Sequence, residues 1–287
     1  MNNKYLATAL IAVLVCASAL GYLLYNGALS NNNAAGTPTN LRVFIASSLI
    51  HVVQNMTQEF NVENHCNITI NSSGSNTLYQ QITSGSPCDV FMSADFKWTK
   101  QLNASEFLFN NNYQNFTSNT LELLLPKDNP QKITSLLDLI KPGVKIVVAD
   151  PSVPAGSYTN TTLTKIDATW GNPSSHLYQG SQWHNYRTKF LANVVSYETA
   201  VEDVVGKISL GLGIADAGVA FVSDAIYGTI MGAQLKYIPI PLAVNTRGIY
   251  SIAIVSTTSH SDLAQKFLDY WTSIQGQTLL QTYGFGT

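Results

Sequence analysis

The sequence has few charged residues for its length. Only 11% of its 287 residues are Asp, Glu, Lys or Arg, and the formal net charge is −2. About a quarter is usual for soluble domains. Proteins that bind nucleic acid carry clustered basic residues. The composition therefore argues against a nucleic-acid partner, and Asn, Ser, Thr and Gln must form most of the polar surface.

Patterns typical of catalysis or of metal binding are also scarce. Ser73 and Ser75 do not lie in a G-x-S-x-G elbow. Two pairs of carboxylates flank apolar runs, and strand-end capping or hinge hydrogen bonding explains them better than acid–base chemistry: Asp89 with Asp95, and Asp216 with Asp224. The histidines show no i,i+4 spacing and are interpreted as surface residues: His51, His65, His176, His184 and His260. We expect no enzymatic activity, no cofactor and no metal site apart from a bound ligand.

Cysteine is rare, with three residues in the whole chain. Cys66 and Cys88 are the two beyond the first 25 residues, and each lies beside an apolar run. In an oxidising compartment a bridge between them would contribute about 3 kcal/mol. We predict this bridge, and two buried free thiols are the alternative.

The amino-terminal region is the one long apolar stretch. Residues 5–25, "YLATALIAVLVCASALGYLLY", carry no charge and follow Lys4. Their length suits a membrane-spanning helix, and the positive charge before them favours an external body. A cleaved signal is the alternative, because "ASA" at 17–19 resembles a cleavage site. Since the apolar run continues beyond it, we favour an uncleaved anchor at 1–25 and a polar linker at 26–40.

Potential glycosylation sites agree with an extracytoplasmic body, although a chain rich in Asn, Ser and Thr also produces such triplets by chance. The N-x-S/T triplets start at Asn55, Asn67, Asn71, Asn103, Asn115 and Asn160.

The rest of the chain alternates strand-like and helix-like runs. Apolar runs such as "LRVFIA", "DVFMS" and "VKIVVA" are typical of buried strands. Their alternation with amphipathic segments predicts an α/β architecture with mainly parallel sheets. The helix candidates lie at 48–61, 77–84, 157–169, 199–210 and 261–274, and a polar, aromatic segment at 170–189 is predicted to be a loop with a short helix.

Four strand-to-helix junctions share one design: Ser47–Ser48, the turn "SSGS" at 72–75, "DPSVPAG" at 150–156 and "YETAVED" at 197–203. A helix start leaves unpaired N–H groups and a partial positive charge, and therefore binds anions without Lys or Arg. Ligands of α/β proteins bind at the carboxyl ends of parallel strands. The junctions predict a site for a small oxyanion, and ordinary N-capping by Ser and Asp is the alternative.

The motifs at these junctions resemble those of periplasmic molybdate-binding proteins, the receptors of molybdate/tungstate ABC importers. Five stretches carry the resemblance in the family's order, between residues 41 and 286: "LRVFIASSLIHVVQNMTQEF", "SGSNTLYQQITSGSPCDVFMSADFKW", "DPSVPAGSY", "ADAGVAFVSDA" and "TLLQTYGFG". The resemblance implies a two-lobed periplasmic-binding-protein fold with two crossover strands. The implied first lobe is 41–124 with 247–287, and the implied second lobe is 125–246.

The resemblance also implies the ligand-binding residues. Ser48 and Ser75 would offer hydroxyl and backbone donors, with Ser47 as an alternative to Ser48. The backbone N–H of Ala155 would come from the second lobe. A further backbone donor falls at Asp203, and a slip of register would make it Glu202 or Val204 instead.

The chain departs from the family pattern in two places. Phe221 stands where the family usually has a tyrosine, and Tyr158 or Tyr197 could supply the missing hydroxyl. The carboxylate that lets archaeal tungstate-binding relatives reach six-coordination has no counterpart at Val153 and Pro154. Tetrahedral coordination is therefore favoured, although Glu202 or Asp203 could still contribute a carboxylate.

A site with donors alone suits a fully deprotonated tetrahedral dianion, whereas hydrogen phosphate needs an acceptor. The resemblance implies a monomeric, extracytoplasmic receptor that delivers molybdate or tungstate to an ABC permease and its ATPase. Lobe closure would be the signal. A receptor of this fold for sulfate or another oxyanion is the nearest alternative. An extracellular serine hydrolase and a surface-interaction protein are alternatives of other classes.

Overall fold

The computed structural model describes residues 37–230, 232 and 235–286. The predicted anchor at 1–25 and most of the predicted linker at 26–40 lie outside these residues. None of the described helices is both long and apolar enough to cross a membrane. Contacts group Thr39–Thr287 into one compact unit, which contains two five-stranded sheets.

Strands and helices alternate along the described chain. The strands are β1 (Thr39–Ala46), β2 (Cys66–Ser73), β3 (Val90–Ser93), β4 (Leu108–Asn119), β5 (Leu121–Pro126), β6 (Ile146–Ala149), β7 (Val194–Glu198), β8 (Ala217–Phe221), β9 (Leu235–Pro239) and β10 (Gly248–Val255). The α-helices are α1 (Ile50–Asn64), α2 (Ser75–Thr83), α3 (Phe96–Ala104), α4 (Pro154–Thr169), α5 (Tyr186–Ala192), α6 (Val201–Ser209), α7 (Val222–Ile230), α8 (Ser261–Thr272) and α9 (Ile274–Thr282). Short 3₁₀ helices cover Ser47–Leu49, Leu136–Ile140 and Ser181–Trp183.

The first sheet has the strand order β2-β1-β3-β10-β4. β1 pairs in parallel with β2 and β3, while β10 runs antiparallel to β3 and β4. Helices cover both faces of this sheet. The sequence of β1 is almost continuously apolar because the strand is buried on both sides. Val43 and Ile45 pack on the face covered by α1 and α8, whereas Phe44 packs on the face covered by α2 and α3. A strand buried on both faces has no polar alternation.

The second sheet has the order β7-β6-β8-β5-β9. β6 is parallel to β7 and β8, and β5 is antiparallel to β8 and β9. One hydrophobic core joins this sheet to α4, α5 and α6. The segment predicted to be a loop with a short helix contains a 3₁₀ turn at Ser181–Trp183 and then α5. The ring of Trp183 packs edge-on against Trp170 at 4.7 Å.

The chain passes between the sheets twice. β4 ends in the first sheet at Asn119, and β5 begins in the second at Leu121. The return lies between Pro239 at the end of β9 and Gly248 at the start of β10. The lobe limits inferred from the sequence stay a prediction. Because β4 belongs to the first sheet and β5 to the second, the chain first crosses at Thr120, whereas the sequence placed this crossing after residue 124.

The predicted disulfide between Cys66 and Cys88 is wrong, because both are buried free thiols. Cys66 opens β2 and belongs to the core on the α1 face of the first sheet, whereas Cys88 belongs to the core on the other face. β1 also lies between β2 and β3. The Cys66 thiol contacts the Asn61 side chain at 3.5 Å, and the Cys88 thiol donates to the Val90 carbonyl at 3.2 Å. Burial raises the pKa of the Cys88 thiol.

Candidate functional site

A small cleft lies between the two sheets, where four helices begin. Its cavity volume is about 10 Å³, close to the space of one water-sized group and far below the roughly 300–1,000 Å³ of pockets for organic ligands. We call it the serine cleft. Its lining residues are Ala46, Ser47, Ser48, Ser73, Gly74, Ser75, Ala94, Val153, Pro154, Ala155, Val201 and Phe221. The first seven come from the first-sheet side and the last five from the second, so a ligand here would contact both lobes.

The helices that start at the serine cleft lack side-chain caps. The residues before their first turns are Ala46, Gly74, Val153 and Ala200, and no side chain at these positions accepts a cap hydrogen bond. The 3₁₀ turn at Ser47–Leu49 continues directly into α1. The N–H groups of a first turn have no partner within the helix. In these four helices they remain available to a ligand, and the N-capping alternative therefore fails.

Helices that begin elsewhere show what capping looks like in this protein. Asp95 accepts from the Lys97 N–H at 2.8 Å at the start of α3, and Ser273 accepts from the Gly276 N–H at 3.1 Å at the start of α9. A reciprocal capping box between Ser135 and Asp138 opens the 3₁₀ helix Leu136–Ile140. The helices that begin at Ser181, Tyr186 and Ser261 also lack a side-chain cap, so what distinguishes the serine cleft is that four uncapped starts meet there.

Two serine hydroxyls of the cleft each have a hydrogen-bond partner in the protein: a backbone N–H donates to Ser75, and a phenol can donate to or accept from Ser48. The Ser75 Oγ, fully buried, accepts from the Ala94 N–H at 3.1 Å. The Ser48 Oγ lies 2.9 Å from the phenol oxygen of Tyr250. A hydroxyl that accepts one hydrogen bond can still donate its own hydrogen. Both serines can therefore point a hydrogen at an anion in the cleft.

The walls of the cleft approach each other closely at Gly74. A Cβ added there would lie 2.9 Å from the carbonyl oxygen of Thr199, on the opposite lobe, and 2.7 Å from the Asn76 Oδ1. The backbone of Gly74 has φ −60° and ψ 138°, which other residues adopt readily. Glycine is therefore needed for the close approach of the lobes and not for its backbone freedom.

Contacts between the lobes flank the serine cleft. The Asn76 amide donates to the Ser152 hydroxyl at 3.2 Å, and the Tyr158 phenol donates to the Ala94 carbonyl at 3.0 Å. On another side, the rings of His51 and Tyr227 stack with centroids 3.2 Å apart. The lobes are thus in contact around the cleft.

No residue that lines the serine cleft carries a formal charge. The nearby acids face a separate pocket between α1, α6 and α7, which we call the acidic pocket; it is lined by Ile50, His51, Gln54, Glu202, Val205, Gly206, Ser209, Asp224, Tyr227 and Gly228. Burial, with a contribution from the charge of Asp203, raises the pKa of Glu202 to about 7. Burial likewise raises the pKa of Asp224 to about 7, although its carboxylate accepts the Phe221 N–H at 3.0 Å.

Five of the predicted site residues line the serine cleft: Ser47, Ser48, Ser75, Ala155 and Phe221. The helix α6 contributes Val201, two residues before the predicted Asp203. The side chain of Asp203 is exposed, Glu202 faces the acidic pocket, and Val204 is in the core. Which first-turn N–H of α6 meets a ligand stays a prediction.

Neither tyrosine proposed to replace the missing hydroxyl lines the cleft. The phenol of Tyr158 is occupied by the Ala94 carbonyl, and its ring packs edge-on to Phe221 at 6.2 Å. Tyr197 lies on β7 and is 49% exposed. Sequence reasoning missed Tyr250, because "GIYSIAIV" has the pattern of an ordinary core strand and its contact with Ser48 spans 202 residues.

The carboxylates that resemble acid–base pairs have structural partners. Asp89 accepts from the Arg42 N–H and the Thr258 hydroxyl, and Asp216 accepts from the Lys145 N–H. Asp95 caps α3, and Asp224 binds the N–H of Phe221. The interpretation as capping and strand-end hydrogen bonding is confirmed.

Two α/β lobes that meet over converging helix N-termini define a two-lobed receptor for a small anion. The chain belongs to the family of bacterial extracellular solute-binding proteins, whose sequence pattern matches residues 41–286. It is 32% identical to the molybdate-binding protein ModA of Mycobacterium tuberculosis, over 98% of this chain and 97% of that protein. It is 28% identical to ModA of Escherichia coli, over 88% of this chain and 91% of that protein.

Solved structures share the fold. The substrate-binding domain of a putative molybdenum ABC transporter from Clostridium difficile has a TM-score of 0.61 and 25% identity, covering 87% of this chain and 99% of that one. The periplasmic molybdate-binding protein of Azotobacter vinelandii has a TM-score of 0.69 and 18% identity, with coverages of 85% and 98%. The sulfate-binding protein SubI of Mycobacterium tuberculosis has a TM-score of 0.73 and 15% identity, covering 86% of each chain.

Proposed function

We propose that the protein captures molybdate or tungstate between its lobes. The observation that carries this proposal is the meeting of four uncapped helix starts and two donor-ready serines in a cleft lined by no charged side chain. Such a site supplies hydrogen-bond donors and partial positive charge. The similarity to molybdate-binding proteins of several bacteria supports a metal oxyanion as the ligand.

The donors of this proposed site come from both lobes. Ser48 and Ser75 would offer their hydroxyl and backbone hydrogens from the first lobe. Ala155 and the first turn of α6 would offer backbone N–H groups from the second. Each hydrogen bond to a charged ligand contributes roughly 1.5–3 kcal/mol, so several together would hold a dianion tightly.

The kind of hydrogen bond offered selects the protonation state of the ligand. Molybdate, tungstate and sulfate are fully deprotonated near neutral pH and accept hydrogen bonds only. Hydrogen phosphate carries a proton that needs an acceptor, and an unpaired polar hydrogen in a dry site costs free energy. We therefore expect the serine cleft to reject phosphate. Tetrahedral coordination follows, because no carboxylate is among the lining residues to expand it.

In this proposal the protein works outside the cytoplasm and delivers its ligand to an ABC permease and its ATPase. Its role is to bind and deliver the ligand, with no catalytic step and no cofactor. Closure of a two-lobed receptor around a ligand is a hinge motion, and the two chain passages near Thr120 and residues 240–247 are where we place the hinge. We further propose that the protein acts as a monomer held at the membrane by residues 1–25, which are too apolar for an ordinary linker.

Sulfate is the second candidate ligand, because the fold also matches a sulfate-binding protein with a TM-score of 0.73. Sulfate makes the same hydrogen bonds as molybdate but is smaller. The separation of the donors across the cleft would then decide between them.

Calorimetric titration of the purified protein with molybdate, tungstate, sulfate and phosphate tests the proposal. We expect tight binding of molybdate and tungstate, weak binding of sulfate and no heat with phosphate. Loss of that heat in Ser48→Ala and Ser75→Ala would tie it to the serine cleft. Sulfate binding as strong as molybdate binding would change the assigned ligand to sulfate. The absence of heat with any oxyanion would refute the proposal.

A further inference from the structure

The two ligand-facing serines are supported in different ways. Ser75 is held by a backbone N–H, that of Ala94, which no substitution of a side chain removes. Ser48 is held by the phenol of Tyr250, which is fully buried and 2.9 Å away. The direction of the Ser48 hydroxyl therefore depends on one side chain from β10.

The buried Asn119, which pairs with Gly248 of the same strand as Tyr250, has its own hydrogen-bond partners. The oxygen of the Asn119 amide accepts from the Thr120 N–H at 3.0 Å, and its nitrogen donates to the Ser223 hydroxyl at 2.9 Å. The Tyr250 phenol has its hydrogen bond with Ser48 instead.

An anion in the cleft selects one direction for the hydrogen bond between Ser48 and Tyr250, in which either oxygen can be the donor. Tyr250 then donates to Ser48, and Ser48 keeps its own hydrogen for the cleft. In the reverse direction Ser48 would donate to Tyr250 and present only lone pairs to the cleft, which a dianion would repel. In this forward direction both hydroxyl hydrogens have an acceptor: that of Tyr250 meets the Ser48 oxygen, and that of Ser48 meets the anion.

We propose that Tyr250 is a positioning residue for anion binding, which turns the Ser48 hydroxyl hydrogen toward the ligand. This inference rests on the proposed function. Tyr250 does not line the cleft, so it acts through Ser48 alone. Its ring packs edge-on against Phe221 at 5.8 Å, the position that lacks the family's usual hydroxyl. In this chain a phenol thus stands behind Ser48, next to the cleft wall that Phe221 forms.

The test is the substitution Tyr250→Phe, which keeps the ring and removes the phenol oxygen. We expect molybdate affinity to fall about tenfold, equal to ~1.4 kcal/mol. The matched control is Tyr186→Phe, since the buried Tyr186 phenol donates to the Leu136 carbonyl at 2.8 Å within the second lobe. This control should unfold at a temperature similar to that of Tyr250→Phe and bind molybdate like the unmodified protein.

A double-mutant cycle separates positioning from a general loss of packing. If Tyr250 acts through Ser48, Tyr250→Phe should weaken binding no further in a Ser48→Ala background. Combined with Ser75→Ala, its effect should add in full. Equal affinity of Tyr250→Phe and the unmodified protein, or full additivity with Ser48→Ala, would overturn the proposal while leaving the proposed function intact. Failure of the unmodified protein to bind any oxyanion would overturn both.

Discussion

Two pockets lie side by side between the lobes, the serine cleft and the acidic pocket, and they differ in the chemistry of their lining residues. The serine cleft has a cavity volume of about 10 Å³ and no ionisable side chain, whereas the acidic pocket has about 460 Å³ and contains His51, Glu202 and Asp224. The helix α6 separates them, because Val201 lines the first and Glu202 the second. The protein thus keeps carboxylates out of the cleft even where they are adjacent in sequence.

The environment of the acidic pocket limits the charge that its carboxylates carry. The pKa values of Glu202 and Asp224 are both raised to about 7 by burial, while the pKa of His51 is lowered to about 4. Near neutral pH the histidine is neutral and the two acids are only partly ionised. An anion in the serine cleft therefore meets less repulsion from the acidic pocket than two fully ionised carboxylates would exert.

The strongest test of this difference places a carboxylate in the serine cleft. Ser48→Asp should weaken molybdate binding at least about 100-fold, because like charges about 4 Å apart at a dielectric constant near 20 repel by roughly 4 kcal/mol per pair. Gln54→Glu adds the same charge at the exposed rim of the acidic pocket, where solvent screens it. It should change affinity less than about threefold. Similar losses of molybdate affinity in the two variants, measured by calorimetry, would show that the serine cleft is no more sensitive to an added carboxylate than the acidic pocket.

The second test concerns how closely the lobes approach each other at the serine cleft and at the acidic pocket. Gly74→Ala should weaken binding about 10- to 100-fold, equal to ~1.4–2.8 kcal/mol, since its Cβ would meet the Thr199 carbonyl across the cleft. Gly206→Ala is the control beside the acidic pocket, where an added Cβ meets no atom within 4 Å. It should bind normally and unfold at an equal or slightly higher temperature. Normal binding by Gly74→Ala would show that ligand capture does not need this close approach.

The third test removes a contact between lobes that belongs to the acidic pocket. His51→Ala deletes the stack on Tyr227, and an aromatic pair contributes roughly 0.5–1.5 kcal/mol. Because the stack forms only when the lobes meet, molybdate affinity should fall about two- to tenfold. The exposed His176→Ala should have no effect. An unchanged affinity in His51→Ala would mean that the acidic pocket contributes nothing to closure.

The smallest effect concerns pH. The pKa of Glu202 is about 7 in the folded protein and 4.5 ordinarily, so the folded state binds the extra proton between these values. Stability therefore falls as pH rises through this window. Glu202→Gln should flatten that fall and raise the unfolding temperature at pH 8 by about 2–4 °C, allowing for the solvent that reaches this side chain. The exposed Glu63→Gln is the control. Parallel curves for Glu202→Gln and the unmodified protein from pH 5 to 8 would contradict the assignment.

Much of this architecture could be predicted from local sequence patterns. Alternating apolar runs indicated the α/β sheets, and small polar residues after strands marked three of the four helix starts. Those patterns could not decide between capping and binding. That required the positions of Ser48 and Ser75, which lie within the first turns and not before them, with uncapped Ala46 and Gly74 preceding.

Long-range contacts account for what the sequence could not reveal. The predicted helix at 199–210 begins two residues before the observed start of α6 at Val201, because Ala200 carries no capping signal. The partnership of Ser48 with Tyr250 depends on the register of β10 in the first sheet. The predicted disulfide failed because nearness in sequence does not tell which face of a sheet Cys66 and Cys88 occupy.

The most direct test of the central claim is a crystal structure of the protein with tungstate, recorded at a wavelength where tungsten scatters anomalously. The account predicts one strong anomalous peak in the serine cleft, with oxygens in hydrogen-bond contact with Ser48, Ser75 and the Ala155 N–H. A peak in the acidic pocket, or a cleft without tungsten in crystals grown at saturating tungstate, would contradict it.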